Sequence, residues 1–331
     1  MNKFTVVDLH CDLLSYLAES QNSTINDAEA IGCALPHLKN GNVKLQVLAI
    51  YTPTEEGSTK FGLKQAEIFR EILETHSENI QHIKNIDDAE AVISSNKVGV
   101  VGAIENASGF CEEDDHLDDG FAKLEKIFEL FERTMYITFT HMNENRFGGG
   151  NKSNVGLKDD GRVLLEYLDN KKVGVDFSHM SDQLAYDVLN HIDKMGLAIH
   201  LLASHSNFRT IFDDAGKRNL PDELAEEIVK RNGIIGANLI KDFMGKSGSG
   251  DLLKHINYAF ENGYENNIAF GADFFWAPPG YKSDTGSFFH AEHQNASKYQ
   301  SILESLSTNL SMEQLNKLSY LNAIEFIKKN W

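Results

Sequence analysis

Short apolar runs rich in β-branched residues recur along the whole chain, and most are separated by segments with helical periodicity. Eight runs predict β-strands at residues 5–10, 46–51, 98–105, 135–141, 173–179, 197–205, 233–240 and 267–273. Apolar positions at 3.6-residue intervals predict helices at residues 63–75, 121–133, 161–170, 182–194, 222–231 and 252–261. Strand–helix alternation repeated eight times is typical of a (β/α)8 TIM barrel, an α/β fold.

The main alternative is a doubly wound open sheet. That fold commonly carries a Gly-x-Gly-x-x-Gly turn after its first strand, and no such turn follows residues 5–10. Three consecutive glycines at 148–150 lie in a polar loop, where flexible backbone explains them better than a phosphate cradle. Because no linker, repeat or low-complexity tract divides the chain, we expect residues 1–331 to form one barrel domain.

Metal-binding and titratable residues stand at the ends of six of the eight predicted strands. They are His10 with Asp12, Glu105, His141, His179, His205 and Asp273. The carboxyl ends of barrel strands converge on one face, where barrel enzymes keep their active sites. We therefore expect these side chains to meet in one cluster.

The residue types in this predicted cluster favour a pair of divalent metal ions. His10 and Asp12 lie on the same side of an extended strand, so both can reach one ion. A carboxylate such as Glu105 can bridge two cations through its two oxygens. His179 and His205 each follow a serine, and imidazole suits zinc. A Ser-His-Asp triad is disfavoured, because adjacent residues of one strand point apart.

Two further residues of the cluster carry open assignments. Asp273 follows an apolar strand with two small residues before it, and we interpret it as a general base. His141 is a metal ligand, a donor to an oxyanion or a structural histidine. Three histidines and two carboxylates for metal, with one Asp and one His besides, are sufficient for a binuclear hydrolase.

Composition narrows the class of partner and compartment. The chain has 31 basic and 49 acidic side chains and a net charge of −18, which argues against nucleic acid as a partner. A hydrophobic content of 41% and a charged content of 24% exclude disorder. Three cysteines suit a reducing compartment. No signal peptide, lipid-anchor signal or run of 18 apolar residues is found, so we expect a cytoplasmic protein without a membrane partner.

Eight short motifs occur in order along the chain. They are Asp8-Leu9-His10-Cys11-Asp12, Leu38-Lys39-Asn40-Gly41-Asn42-Val43, Glu105, Thr140-His141, Asp176-Phe177-Ser178-His179, Ser204-His205-Ser206, Arg218-Asn219-Leu220-Pro221-Asp222 and Gly271-Ala272-Asp273-Phe274. Together these motifs resemble those of the membrane (renal) dipeptidase family of zinc peptidases, within the wider amidohydrolase-type barrels. Each motif alone is weak, whereas all eight in order form a specific signal.

The resemblance implies dipeptide hydrolysis by a metal-bridging hydroxide, with two Zn²⁺ ions per chain. One zinc would be held by His10, Asp12 and Glu105. The second would be held by Glu105, His179 and His205. The resemblance also assigns substrate binding to His141 and Arg218, and acid/base catalysis to Asp273. The expected partner is a small dipeptide, with a D-residue allowed at its second position and a homodimer as an allowed assembly.

Two departures from the family pattern bear on substrate preference. Phe275 and Trp276 follow Asp273-Phe274, where the family usually has a second Asp and a Gly. Ile240 stands where an aromatic residue, often Tyr, is common. One alternative is another binuclear amidohydrolase, acting on a cyclic amide, lactone or phosphoester. Such barrels usually open with His-x-His and bridge through a modified lysine, which this chain does not match. The other alternative is a binding protein that has lost catalysis.

Overall fold

The computed structural model describes residues 3–213, 216–278, 280–281 and 286–331. The described residues form nine β-strands. They are β1 (Val6–Cys11), β2 (Val43–Tyr51), β3 (Ile80–His82), β4 (Val98–Glu105), β5 (Thr134–Thr138), β6 (Gly174–Asp176), β7 (Leu201–Ala203), β8 (Ile234–Ala237) and β9 (Ile268–Phe270).

Helices follow most of these strands. They are α1 (Leu13–Glu19), α2 (Leu35–Asn40), α3 (Ser58–Thr75), α4 (Ile86–Ile93), α5 (Leu117–Phe131), α6 (Asp159–Leu168), α7 (Asp182–Met195), α8 (Asp222–Lys230), α9 (Lys241–Met244), α10 (Ser249–Glu261), α11 (Tyr299–Leu306), α12 (Met312–Asn316) and α13 (Asn322–Asn330). One turn of π-helix, Lys317–Leu321, joins α12 to α13. The six helices predicted from periodicity are all present, with ends that differ by a few residues.

Eight of the strands close into a barrel. The hydrogen-bonded order is β2-β1-β9-β8-β7-β6-β5-β4, and β2 pairs with β4 over seven residues to complete the circle. Every one of these pairings is parallel. The predicted (β/α)8 TIM barrel is therefore confirmed, and the open doubly wound sheet is excluded.

The ninth strand, β3, was not predicted from the sequence. Its three residues pair with the start of β4, from Ile80 opposite Val98 to His82 opposite Val100. Farther along β4, the same edge pairs with β5 instead. A three-residue run is too short for its apolar pattern to distinguish it from a loop.

Alternate side chains of the barrel strands enter two different apolar clusters. Val7 and Leu9 of β1 pack in a cluster with Val47 of β2 and with Ala323 and Ile327 of α13. Neighbouring positions of the strands pack against the surrounding helices in a second cluster, which includes Phe69 of α3. The period-two alternation thus gives each strand a buried side chain on both faces. This packing fixes the strand ends from which the polar residues project.

The described residues bear on the expectations about membrane spans and cysteines. In those ranges, no helix combines the length and the hydropathy that a membrane crossing requires. All three cysteines are buried thiols without a disulfide bond.

Candidate metal centre

The carboxyl ends of the barrel strands and the loops that follow them bring the predicted cluster together. His10 lies in β1 with Asp12 just beyond it, and Glu105 is the last residue of β4. His179, His205 and Asp273 follow β6, β7 and β9 by two or three residues. Three overlapping groups of these side chains have donor atoms within 4.8 Å of one another. The groups are His10 with Glu105 and His205, Glu105 with His141 and His179, and His10 with Asp12 and Asp273.

Glu105 occupies the centre of this cluster. Its Oε1 lies 2.9 Å from His179 Nε2 and 3.4 Å from His205 Nε2. Its Oε2 lies 3.5 Å from His10 Nε2. His10 Nε2 is also 3.6 Å from Asp12 Oδ1 and 3.7 Å from Asp273 Oδ1. The two oxygens of one carboxylate therefore face two separate sets of side chains.

Buried polar atoms without a hydrogen-bond partner support a cation in this place. Among the described residues, His10 Nε2 and Asp12 Oδ1 are buried and accept or donate no hydrogen bond. His10 Nδ1 lies 2.7 Å from the Tyr136 hydroxyl, which itself donates to the Leu9 carbonyl. Nδ1 therefore carries a proton, and Nε2 is the ring nitrogen that faces the carboxylates. Because buried polar atoms without a partner are costly, a divalent cation fits these residues.

Burial also raises the pKa of two acidic groups of the cluster, and a bound cation would offset this effect. Burial, reinforced by the charge of Glu105, raises the pKa of Asp12 to about 6. Burial raises the pKa of Asp273 to about 8, and the charges of Asp12 and Glu105 add to the effect. Glu105 behaves oppositely, because the charge of His10 and hydrogen bonds from His10, His179 and His205 outweigh its burial and hold its pKa well below the usual range. Three carboxylates in one dry pocket would repel each other without a counter-charge.

The two histidines that approach Glu105 Oε1 are held as neutral imidazoles. Burial lowers the pKa of both His179 and His205 well below the usual range, and the nearby Arg218 charge adds to the effect. Their Nε2 atoms lie 3.1 Å apart. The neutral form of imidazole is the one that binds a metal. The donor set of three imidazoles and two carboxylates matches the preferences of zinc.

Two site residues adopt a backbone conformation that is rare for residues other than glycine. His179 and Asp273 both have φ of +64°. The carbonyl of His179 accepts a hydrogen bond of 2.8 Å from the Asn151 amide. Asn238 Nδ2 donates to Asp273 Oδ2 over 2.9 Å. These contacts thus stabilise the strained backbone conformation of both residues, and such strain is common at functional sites.

The predicted strands ended too late at these positions. The sequence predicts strands to 141, 179, 205 and 273, whereas β5, β6, β7 and β9 end two or three residues earlier. His179 and Asp273, the two with positive φ, each lie three residues beyond the end of their strand. The side chains consequently lie above the barrel, in the loops, instead of within it.

The two residues expected to bind substrate lie beside the same cluster. Arg218 is buried and donates from Nη1 to Ser206 Oγ and from Nη2 to the His205 carbonyl, both over 2.8 Å. His141 is half-buried, and its ring centroid lies 4.3 Å from that of His179. Burial lowers the pKa of His141 to about 4, so the ring is neutral.

The two departures from the family pattern meet in the loop after β9. Ile240 forms an isolated antiparallel bridge with Phe289. The ring of Phe275 lies 4.8 Å from the ring of Phe288 and 6.0 Å from that of Phe289. Aromatic side chains therefore pack where the pattern would place Asp and Gly.

Several polar residues that support the site were missed by the sequence reasoning. Tyr136 gave no signal, because it stands inside an apolar strand. Asn238 binds Asp273 from the end of β8. Asp8, in contrast, belongs to the first of the eight sequence motifs. Its carboxylate accepts from the Tyr299 hydroxyl at 2.6 Å and from the amides of His10 and Ala272 at 3.2 and 3.1 Å. It thereby ties the end of β1 to the segment that carries Asp273.

Comparison with known proteins identifies a matching family model and several similar proteins. A family model described as membrane dipeptidase (Peptidase family M19) matches residues 1–330. An uncharacterized dipeptidase of Schizosaccharomyces pombe is 26% identical over 282 residues, which cover 81% of this chain and 62% of that protein. Dipeptidase tcpJ of Claviceps purpurea is 20% identical over 318 residues, which cover 89% of this chain and 68% of that protein. This chain thus spans less than two thirds of the length of the yeast relative.

A solved structure resembles the whole barrel. It is a metallo peptidase from Rhodobacter sphaeroides liganded with a phosphinate mimic of the dipeptide L-Ala-D-Ala. The TM-score is 0.85 at 17% sequence identity, and the match covers 100% of both chains. At this identity the likeness shows the fold.

Proposed function

Because the chain belongs to the membrane dipeptidase family, we propose that it hydrolyses the peptide bond of dipeptides with two Zn²⁺ ions per chain. The observation that carries the proposal is the position of Glu105. Its two oxygens face His179 and His205 on one side and His10 on the other, which suits a carboxylate that bridges two cations. The S. pombe and C. purpurea relatives are both named as dipeptidases.

The ligand assignment follows from these positions. His10, Asp12 and Glu105 would hold one zinc ion, and Glu105, His179 and His205 would hold the second. When bound, zinc supplies Lewis acidity, which makes water more acidic and polarises the scissile carbonyl. The remaining steps belong to the side chains of the chain itself.

Asp273 carries the proton between water and the leaving group. Its Oδ2 is fixed by Asn238, while Oδ1 faces the cluster 3.7 Å from His10 Nε2. In the proposed reaction, Oδ1 accepts a proton from the attacking water and then donates it to the departing peptide nitrogen. Without that proton the nitrogen is a very poor leaving group.

In the proposed reaction, His141 and Arg218 bind the substrate. The neutral His141 ring lies next to His179 and donates a hydrogen bond to the developing oxyanion. Arg218 binds the terminal carboxylate of the dipeptide, since a planar guanidinium matches a carboxylate. A carboxylate bound at a fixed distance from the metal centre limits the substrate to two residues. The homologous fold that holds a mimic of L-Ala-D-Ala supports a D-residue at the second position.

A substrate panel tests this function. Zinc-loaded and chelated protein are incubated with L-Ala-L-Ala, L-Ala-D-Ala, tri-alanine and the amide of L-Ala-L-Ala, and also with a cyclic amide and a lactone. We expect zinc-dependent cleavage of both dipeptides, L-Ala-D-Ala included, weaker cleavage of the dipeptide amide, and no cleavage of tri-alanine, the cyclic amide or the lactone. Cleavage of the cyclic amide or the lactone without dipeptide cleavage would favour another amidohydrolase, and the absence of any turnover with zinc would favour a binding protein.

A further inference from the structure

Asp176, the last residue of β6, is a fully buried carboxylate to which the ligand assignment gives no role. Its Oδ1 accepts hydrogen bonds from the backbone amides of Ser178 at 3.0 Å and Ser204 at 2.8 Å. Its Oδ2 accepts from the hydroxyls of Thr138 at 2.8 Å and Ser204 at 2.5 Å. All four contacts come from hydrogen-bond donors, so both oxygens of Asp176 act as acceptors.

The Ser204 hydroxyl connects this carboxylate to a metal-facing histidine. Ser204 Oγ lies 2.6 Å from His205 Nδ1. A hydroxyl has one proton, and Ser204 donates that proton to Asp176. His205 Nδ1 must therefore be the donor to Ser204, which leaves a lone pair on Nε2, 3.4 Å from Glu105 Oε1.

The second Ser-His pair of the chain lacks this arrangement. Ser178 Oγ lies 3.1 Å from Ser206 Oγ and accepts from the His205 backbone amide at 3.2 Å. In the part of the chain that the structure describes, His179 Nδ1 has no hydrogen-bond partner. The two Ser-His pairs look equivalent in sequence, but they thus differ in how their imidazole rings are oriented.

We propose that Asp176 is a positioning residue that, through Ser204, fixes His205 in the tautomer whose Nε2 lone pair faces the metal centre. The proposal rests on the proposed function only in taking His205 as a ligand, because the tautomer is a property of the metal-free protein. Partners that orient a ligating imidazole contribute about 10- to 100-fold to metal affinity.

The substitution Asp176→Asn reverses the polarity of this hydrogen-bond chain with little change of shape. The two backbone amides retain an amide oxygen at the Oδ1 position, so the Asn NH₂ group faces Ser204. Ser204 then accepts from Asn, and its own proton turns towards His205 Nδ1. The imidazole must move its proton to Nε2, where it blocks metal binding.

The test measures tautomer and zinc affinity in separate experiments. ¹⁵N NMR of the metal-free protein distinguishes the Nδ1–H from the Nε2–H form, with the His205 signals assigned from a His205→Asn variant. Zinc affinity is measured by competition with a chromophoric chelator. Ser178→Ala is the matched control, because it removes the other serine hydroxyl without touching an imidazole ring.

We expect His205 to be Nδ1–H in the wild type and in Ser178→Ala, and Nε2–H in Asp176→Asn, with one zinc equivalent bound about 10- to 100-fold more weakly in Asp176→Asn. Ser204→Ala, which serves if Asp176→Asn does not fold, should populate both tautomers. Retention of Nδ1–H alone in the folded variant, or wild-type zinc affinity, would overturn the proposal. Failure of dipeptide hydrolysis with the predicted tautomers would instead contradict only the proposed function.

Discussion

Replacement of Tyr136 by Phe removes one oxygen atom from the support of the metal centre. The Tyr136 side chain is fully buried, and its hydroxyl joins His10 Nδ1 at 2.7 Å to the Leu9 carbonyl at 3.0 Å. Tyr136→Phe therefore leaves two buried polar groups without a partner. It also removes the hydroxyl that keeps the proton of His10 on Nδ1.

The magnitude follows from these two groups. Each unsatisfied buried group costs about 1–3 kcal/mol, so two such groups give an expected loss of about 2–6 kcal/mol in the free energy of unfolding. With an unfolding entropy of about 2.1 cal/mol/K per residue, the entropy for the whole chain is roughly 0.7 kcal/mol/K. The expected decrease in Tm of the metal-free protein is thus about 3–9 °C. Zinc affinity at the His10 side should fall about 10- to 100-fold.

Tyr299→Phe provides the matched control. Tyr299 is equally buried, and its hydroxyl donates to Asp8 over 2.6 Å without contacting a ligand side chain. Thermal unfolding of the metal-free proteins and chelator competition with zinc are measured on both variants. We expect both to lose stability and only Tyr136→Phe to lose zinc affinity. Equal zinc affinities in the two variants would refute the argument that the Tyr136 hydroxyl orients His10.

Three further substitutions separate binding, catalysis and packing. Arg218→Ala should raise KM for dipeptides with a free carboxylate far more than for their amides, and equal increases would contradict the carboxylate contact. Asp273→Asn should retain two zinc ions by metal analysis but lower kcat by about 10²–10⁴, so that undiminished turnover would remove its acid/base role. Gly102→Ala should cost about 1–3 kcal/mol in denaturant unfolding, because the added Cβ would lie 2.3 Å from Phe131 Cδ2. Gly250→Ala, with nothing within 4 Å, is its control and should not destabilise the protein.

The sequence predicted the barrel correctly, although several of its strands end two or three residues before their predicted ends. Long apolar runs such as 98–105 coincide with β4, because a buried parallel strand needs apolar side chains on both faces. The convergence of His10, Glu105 and His205 followed from topology alone, since parallel strands in a closed barrel must end on one face.

The remaining features depend on contacts that are distant in sequence. Tyr136 reaches His10 across 126 residues, and Asp176 reaches Ser204 across 28, so no local pattern reveals either contact. The left-handed backbone of His179 and Asp273 is equally invisible in a hydrophobic pattern. Long-range hydrogen bonds and local strain therefore account for most of what the sequence could not supply.

Zinc titration of chelated protein tests the central claim most directly. Initial rates of L-Ala-D-Ala hydrolysis are recorded while Zn²⁺ is added in substoichiometric steps, and bound zinc is quantified at each step. If Glu105 bridges two ions, activity should be absent in the chelated protein and reach its plateau at two bound zinc ions per chain. Full activity in the chelated protein, or no activity with two zinc ions bound, would contradict a binuclear zinc dipeptidase.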